Sequence, residues 1–234
     1  MLVLALETAT RVAGVALISE GKVQKEIFLH YRQTHSQTLM VMVDEVLKEC
    51  EVGLNQIDAV AVSIGPGSFT GLRIGLATAK GLAMGSGKPI VGIPTLDALA
   101  YNACLFRGTV CPVLDARKDE VYTAFYKSDG SCMELVDRYR VCSPRALVDD
   151  VRTRATDGVV FLGDGAVRYR EFLQQTLGDV AVWVPGNLAF PRASSVGLLA
   201  WHKLRGGGID DARSIVPVYI RLSEAETRLG LGAM

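Results

Sequence analysis

Ile64-Gly65-Pro66-Gly67-Ser68-Phe69-Thr70-Gly71-Leu72-Arg73-Ile74-Gly75 follows an apolar run at 57–64 and leads into a helix-like run at 72–84. Apolar strand, glycine turn and helix start, in that order, make an anion cradle, because the first N–H groups of a helix point outward without intrahelical partners. Ser68 or Thr70 can cap the helix. The stretch is not a Walker A loop, since it holds no lysine. Nor is it a dinucleotide fingerprint, because Gly65, Gly67 and Gly71 lie one residue too far apart for G-x-G-x-x-G. Ionic contact with an anion would come from Arg73 or Lys80.

The helix that follows carries small residues in two rows. Gly71, Gly75, Ala79 and Ala83 share one ridge, and Ala77, Gly81 and Gly85 form a second. Glycine inside a helix costs roughly 1 kcal/mol against alanine, and close approach of another backbone is the usual compensation. Arg73 and Lys80 are its charged residues, and a helix apolar on nearly all sides expects burial on nearly all sides. Two readings stand: a central core helix, or a helix with one side covered by a partner subunit. A second helix, predicted over 36–50, raises the same question. Leu39, Met40, Met42, Val43, Val46, Leu47 and Cys50 share an apolar arc of roughly 160°, against the ~100° stripe of a one-sided surface helix. Its methionines suit an adaptable contact surface, although a well-filled core is the commoner explanation.

Composition narrows the function classes. Basic and acidic residues balance at 25 each, so no global field favours RNA or an anionic membrane. Hydrophobic residues make up 49% of the 234, and the mean hydropathy of +0.25 mildly favours a buried interface. No run approaches the ~18 to 20 apolar residues of a membrane span, and no secretory signal is visible, so a cytoplasmic protein is expected. Five cysteines without C-x-x-C spacing read as reduced and mostly structural. His30 and His35 stand five apart, unlike the i, i+4 pair of a metalloprotease. No metal site or cofactor is expected, and no G-x-S-x-G elbow marks a serine hydrolase.

Strands are predicted at 2–6, 12–18 and 22–29, an antiparallel meander, before the helix at 36–50, the strand ending at Ile64 and the small-residue helix. A short strand at 89–93 and a helix capped by Thr95 follow. The pattern then repeats: strands at 110–114, 120–127 and 132–141, a helix from Ser143-Pro144 to about Arg154, a strand at 159–162, and a helix at 166–177 after Gly163-Asp164-Gly165. An acid ends the first strand of each copy, Glu7 and Asp115. A late strand at 181–184, a helix capped by Ser194-Ser195 and an extended stretch at 215–221 complete the chain, with a mobile tail expected after Ala225. Two β-β-β-α-β-α units predict an α/β, duplicated ribonuclease-H-like, two-lobe fold of the actin/Hsp70/sugar-kinase superfamily. The lobes are expected at 1–105, completed by the helix at 194–205, and at 106–193, with an extension over 206–234. Active members of that superfamily hold ATP between the lobes. Here the hairpins read Glu7-Thr8-Ala9-Thr10 and Asp115-Ala116-Arg117-Lys118 and lack glycine. Glu7, Thr8, Thr10, Asp115 and Arg117 thus form a candidate vestigial nucleotide or anion site.

Gly65-Pro66-Gly67-Ser68-Phe69-Thr70-Gly71-Leu72-Arg73-Ile74-Gly75 resembles the signature of the bacterial TsaB (YeaZ) family. The resemblance extends to the hairpin at 4–16, His35-Ser36, Asp115-Ala116-Arg117 with Glu120-Val121-Tyr122, Gly163-Asp164-Gly165-Ala166, and Pro217-x-Tyr219-x-Arg221. One departure is Gln37, where the family often has glutamate. The resemblance implies a non-catalytic partner of the catalytic subunit TsaD, joined by the ATPase TsaE. That assembly forms N6-threonylcarbamoyladenosine at position 37 of tRNAs reading codons that begin with A. It implies a heterodimer with a TsaD homologue, a homodimer when alone, tRNA contact only within the complex, and no membrane. The first two helices of the N-terminal lobe would be the partner face, through Leu39, Met40, Met42, Val43, Val46, Leu47, Leu72, Gly75, Leu76, Ala79 and Ala83. The alternative is an ATP-binding kinase-like or peptidase-like enzyme of the same superfamily.

Overall fold

A computed structural model describes residues 1–30, 35–154 and 158–221, the side chain of His35 excepted; the expected tail after Ala225 lies outside them. The first half builds a five-stranded sheet from β1 (Leu2–Glu7), β2 (Ala13–Ser19), β3 (Lys22–Leu29), β4 (Ala59–Gly65) and β5 (Ile90–Pro94), in the order β3-β2-β1-β4-β5. The first three form the expected meander, and β4 and β5 run parallel to β1. Alternation along the strands sends Leu4, Leu6, Val60 and Val62 to one face, under α1 (His35–Glu49) and α2 (Phe69–Ser86). Val3, Ala5, Ala61 and Val91 go to the other, under α7 (Ala193–Arg205) and Ala98 of α3 (Thr95–Tyr101). Burial on both faces explains why these strands read as continuous apolar runs.

The second half repeats the plan with interruptions. Its strands are β6 (Arg107–Arg117), β7 (Glu120–Thr123), β8 (Tyr126–Asp129), β9 (Met133–Leu135), β10 (Arg140–Cys142), β11 (Val159–Leu162) and β12 (Ala181–Trp183). The expected single strand at 120–127 is split into β7 and β8. Both pair with β6 in one register, Val113 opposite Thr123 and Val110 opposite Tyr126. The gap falls opposite Pro112, which has no N–H to give the ladder. The strand expected at 132–141 is likewise split into β9 and β10 by the irregular residues 136–139. The order β10-β7-β6-β11-β12 matches that of the first sheet. Leu147, Val148 and Val151 of α4 (Pro144–Arg154) and Leu173 of α6 (Arg170–Leu177) fill its core, and α5 (Asp164–Arg168) follows β11.

Two expected caps are corrected. Thr95 does not cap α3; its hydroxyl accepts the Gly65 N–H at 3.1 Å and ties that helix to the glycine loop. Ser194 and Ser195 lie inside α7, whose N-cap position is Arg192. The Glu26 carboxylate from β3 accepts the Ser194 N–H at 3.0 Å and pairs with Arg192 at 2.6 Å, so an acid from another element neutralises the helix start. Of the two candidate caps for α2, Ser68 takes the role, accepting the Gly71 N–H at 3.3 Å.

Candidate functional site

The carboxyl ends of the parallel strands in both sheets open onto one cleft of about 730 Å³, the crevice where open α/β sheets hold ligands. Thr10 and Arg11 enter it from the turn after β1, Gly67, Ser68, Phe69, Thr70 and Arg73 from the loop and first turns of α2, Asp115 and Arg117 from the end of β6, and Asp164 from the start of α5. Gly67 lets the loop press on the β1–β2 turn: a Cβ there would stand 2.3 Å from the Ala9 carbonyl oxygen, which accepts the Ser68 N–H at 2.6 Å. Glu7 and Thr8 do not reach the cleft. They are fully buried, and Gly65, Pro66 and Gly71 are buried as well.

The cleft mixes charges. Arg11, Arg73, Arg117 and Arg221 line it with Asp115 and Asp164. Asp115 is committed within the chain: its carboxylate pairs with Arg168 at 2.9 Å and accepts the Arg117 N–H at 3.0 Å. Asp164 accepts the Asp115 N–H at 3.0 Å, and burial pushes its carboxyl up. Arg117, Lys118 and Asp119 have φ of 63°, 52° and 56°, a left-handed run that costs energy for side chains with a Cβ and holds the arginine at the rim. Arg11, Tyr219 and Arg221 join this site from outside the residues that the sequence marks for it. The Pro217-x-Tyr219-x-Arg221 pattern marks two of them without giving them a role. Among the described residues, no group of three or more His, Cys, Asp or Glu side chains is placed to hold a metal ion, and no helix is long and apolar enough to cross a membrane.

Glu7 has a different part. Its Oε1 accepts the Ala9 N–H at 2.6 Å, while Oε2 is buried without a hydrogen-bond partner. Burial raises its carboxyl to about 7, against the pull of the Ala9 N–H and the Ser63 hydroxyl beside it. A raised carboxyl favours the folded state below the unfolded value of 4.5, and the advantage is lost as pH rises through about 7. The difference corresponds to roughly 3 kcal/mol. Glu7→Gln is therefore expected to gain on the parent chain by that order between pH 4.5 and 7.5, read as urea unfolding at each pH. A gap that stays constant across that range would refute the assignment.

The eleven residues expected at a partner face need correction. Leu39, Met42, Val43 and Val46 of α1 and Leu76, Ala79 and Ala83 of α2 lie in the chain's own core. Leu72 and Gly75 are buried as well, and Leu47 is partly buried against that core. The arc of α1 is wide because the helix has two internal neighbours, the first sheet and α2. The Gly71–Gly75–Ala79–Ala83 ridge faces inward, and the neighbour that Gly75 accommodates is Thr8, whose Oγ1 would stand 2.1 Å from an added Cβ. Met40 alone of the eleven is exposed, at 50%, beside Val41 at 63%. On α2 the second ridge faces outward: Ala77, Gly81 and Gly85 are exposed with Met84 at 61%, and a Cβ on Gly81 or Gly85 would meet nothing within 4 Å.

Comparison with known proteins adds a lineage to this geometry. The family model for TsaD, tRNA N6-adenosine threonylcarbamoyltransferase, matches residues 23–229. The Escherichia coli tRNA threonylcarbamoyladenosine biosynthesis protein TsaB is 41% identical over 231 residues, covering 98% of each chain. A Pseudomonas aeruginosa crystal structure, described as similar to peptidase YeaZ, superposes with a TM-score of 0.80 at 31% identity over 94% of this chain and 99% of that one. Component A of Acidaminococcus fermentans (R)-2-hydroxyglutaryl-CoA dehydratase shares the fold alone, with a TM-score of 0.53 at 11% identity over 88% of this chain and 99% of that one. With the repeated strand order, these likenesses show the duplicated ribonuclease-H-like fold of the actin/Hsp70/sugar-kinase superfamily.

Proposed function

The chain belongs to the TsaB (YeaZ) family, and from that premise we propose that it is a non-catalytic partner subunit in the formation of N6-threonylcarbamoyladenosine at position 37 of tRNAs reading codons that begin with A. It pairs with a TsaD homologue through the outer faces of α1 and α2, TsaE joins the pair, and tRNA is met only within the assembly. Alone, the same face serves a homodimer. The working place is the cytoplasm. The same reading divides the chain into a lobe at 1–105 completed by the helix at 194–205, a lobe at 106–193, and an extension from 206.

The observation that carries the reading is the outward ridge of α2. Two glycines at exposed helical positions, each costing about 1 kcal/mol against alanine, have no neighbour in this chain to account for them. A helix of another subunit laid along Ala77, Gly81 and Gly85 supplies one, with Met84 and Met40 as adaptable flanks. The enzyme reading has less support, because the cleft carboxylate of Asp115 is already engaged by the chain's own Arg168 and Arg117 N–H. Reconstitution tests the proposal: a TsaD homologue and TsaE with ATP, threonylcarbamoyl adenylate and a tRNA transcript are expected to modify the transcript only when this chain is added. Equal product without it, or product from this chain alone, would overturn the assignment.

A further inference from the structure

Residues 206–221 leave α7 and return across the molecule through contacts that the proposed function does not use. Asp210 hooks the segment to the outer strand of the first sheet: its N–H donates to the Ile90 carbonyl at 2.9 Å, and its carboxylate accepts the Gly92 N–H and the Lys203 Nζ at 2.8 Å each. Ile215, partly buried, then packs against the core cluster that α1 and α2 share with the first sheet. Val218 donates its N–H to the Ile64 carbonyl at 2.7 Å, the last position before the glycine loop. Tyr219 stacks on Phe69 with ring centroids 4.9 Å apart, and the Arg73 guanidinium lies 3.8 Å from the centroid of the same Phe69 ring while its Nε donates to the Tyr219 hydroxyl at 3.2 Å.

Within the next two residues the segment grips the second half. Ile220 packs against the cluster that includes Leu114 and Tyr122, and the Arg221 guanidinium donates to the Glu120 carboxylate on β7 at 2.8 Å. Tyr219 is thus anchored to the start of α2 and Arg221 to the hairpin of the second sheet, with the cleft between. Elsewhere the halves are tied through α3 and the residue after it: the Asp97 carboxylate accepts both the Tyr126 and Tyr139 hydroxyls, at 2.6 and 2.7 Å, and the Asn102 side-chain amide donates to the Leu188 and Phe190 carbonyls at 3.0 and 2.8 Å. Of these ties, Tyr219 and Arg221 are the ones whose side chains line the cleft.

We infer that residues 215–221 are a strap that sets the angle between the two halves and, with it, the width of the cleft. Tyr219 and Arg221 are its positioning residues. The inference stands independently of the partner reading, and its test uses the full chain alone. Spin labels at Asp44→Cys on α1 and Glu171→Cys on α6, both exposed, with Cys50, Cys104, Cys132 and Cys142 replaced by Ser and the labelled chain diluted in excess unlabelled chain, report the distance between halves within one chain. The unaltered strap is expected to give a single narrow distribution, and Tyr219→Ala with Arg221→Ala to broaden it at least twofold. Tyr219→Phe, which keeps the ring stack, is expected to fall between them. Should the double variant fail to fold, Arg221→Gln and Glu120→Gln remove the ion pair alone and are expected to broaden the distribution likewise. Widths unchanged in every folded variant would overturn the strap.

Discussion

Ala77→Arg combined with Gly81→Arg is expected to abolish pairing with a TsaD homologue and to leave the chain as stable as before. The two positions lie one turn apart on the outward ridge of α2, and both are exposed. An arginine at 81 meets no atom of this chain within 4 Å of its Cβ, and replacing glycine there recovers up to about 1 kcal/mol of helix propensity. Stability therefore holds or rises slightly. Binding responds differently, because a helix packed on small residues approaches at backbone distance, and two guanidinium stems occupy that space while leaving buried charge unpaired. A loss of at least about 100-fold in affinity, near 2.7 kcal/mol, is expected. Calorimetric titration with the partner, alongside thermal unfolding of each variant, measures both quantities. An arginine at the exposed Glu171 on the far half serves as control. Unchanged affinity in the double variant would remove α2 from the interface.

The two ridges of α2 show where sequence reasoning stops. Both are rows of small residues at fourfold spacing, and helical periodicity alone does not say which points inward. The structure decides through a contact 63 residues distant: the Thr8 hydroxyl donates to the Gly71 carbonyl at 2.8 Å and so pins the Gly71–Gly75 row to the end of β1. The duplicated strand order was legible, because burial on both sheet faces writes itself into the chain as apolar runs separated by turns. Pro112 is a visible sign of the break between β7 and β8, but its effect falls on the opposing arm of the hairpin at 124–125 and leaves its own strand, β6, continuous. The cleft was half legible. Ser68, Thr70 and Arg73 came from one continuous motif, whereas the link from Arg73 to Tyr219 spans 146 residues, and no local pattern encodes a separation of that size. The place of Glu7 at the end of a strand suggests a cleft acid; its burial depends on Ala9 folding back over it and Ser63 lying alongside.

Gly75→Leu is expected to destabilise the chain severely, whatever its partner. The first atom of any side chain at 75 would lie 2.1 Å from the Thr8 hydroxyl oxygen, well inside contact distance. That hydroxyl cannot rotate away freely, because it is donating to Gly71 in a buried setting and its loss leaves a polar group unsatisfied. Swinging the Thr8 methyl into the same space offers no relief, since Cγ2 already stands 3.6 Å from the added atom. Leucine adds three further carbons between a helix and a strand end that have no room for one. Overpacking of this kind costs about 1–3 kcal/mol where neighbours can shift. With the lost hydrogen bond, a total on the order of 4 kcal/mol or more is expected, a large share of the ~5–15 kcal/mol that holds a domain folded. Gly75→Ala is the graded form: helix propensity returns roughly 1 kcal/mol, so a net loss of about 1–2 kcal/mol is expected. Thr8→Ala removes the obstructing oxygen and is expected to recover most of that loss in the double variant, a coupling that a thermodynamic cycle reads directly. If Gly75→Ala instead left stability intact and weakened pairing with a TsaD homologue, the inward assignment of this ridge would be wrong and the interface would lie on the opposite side of the helix.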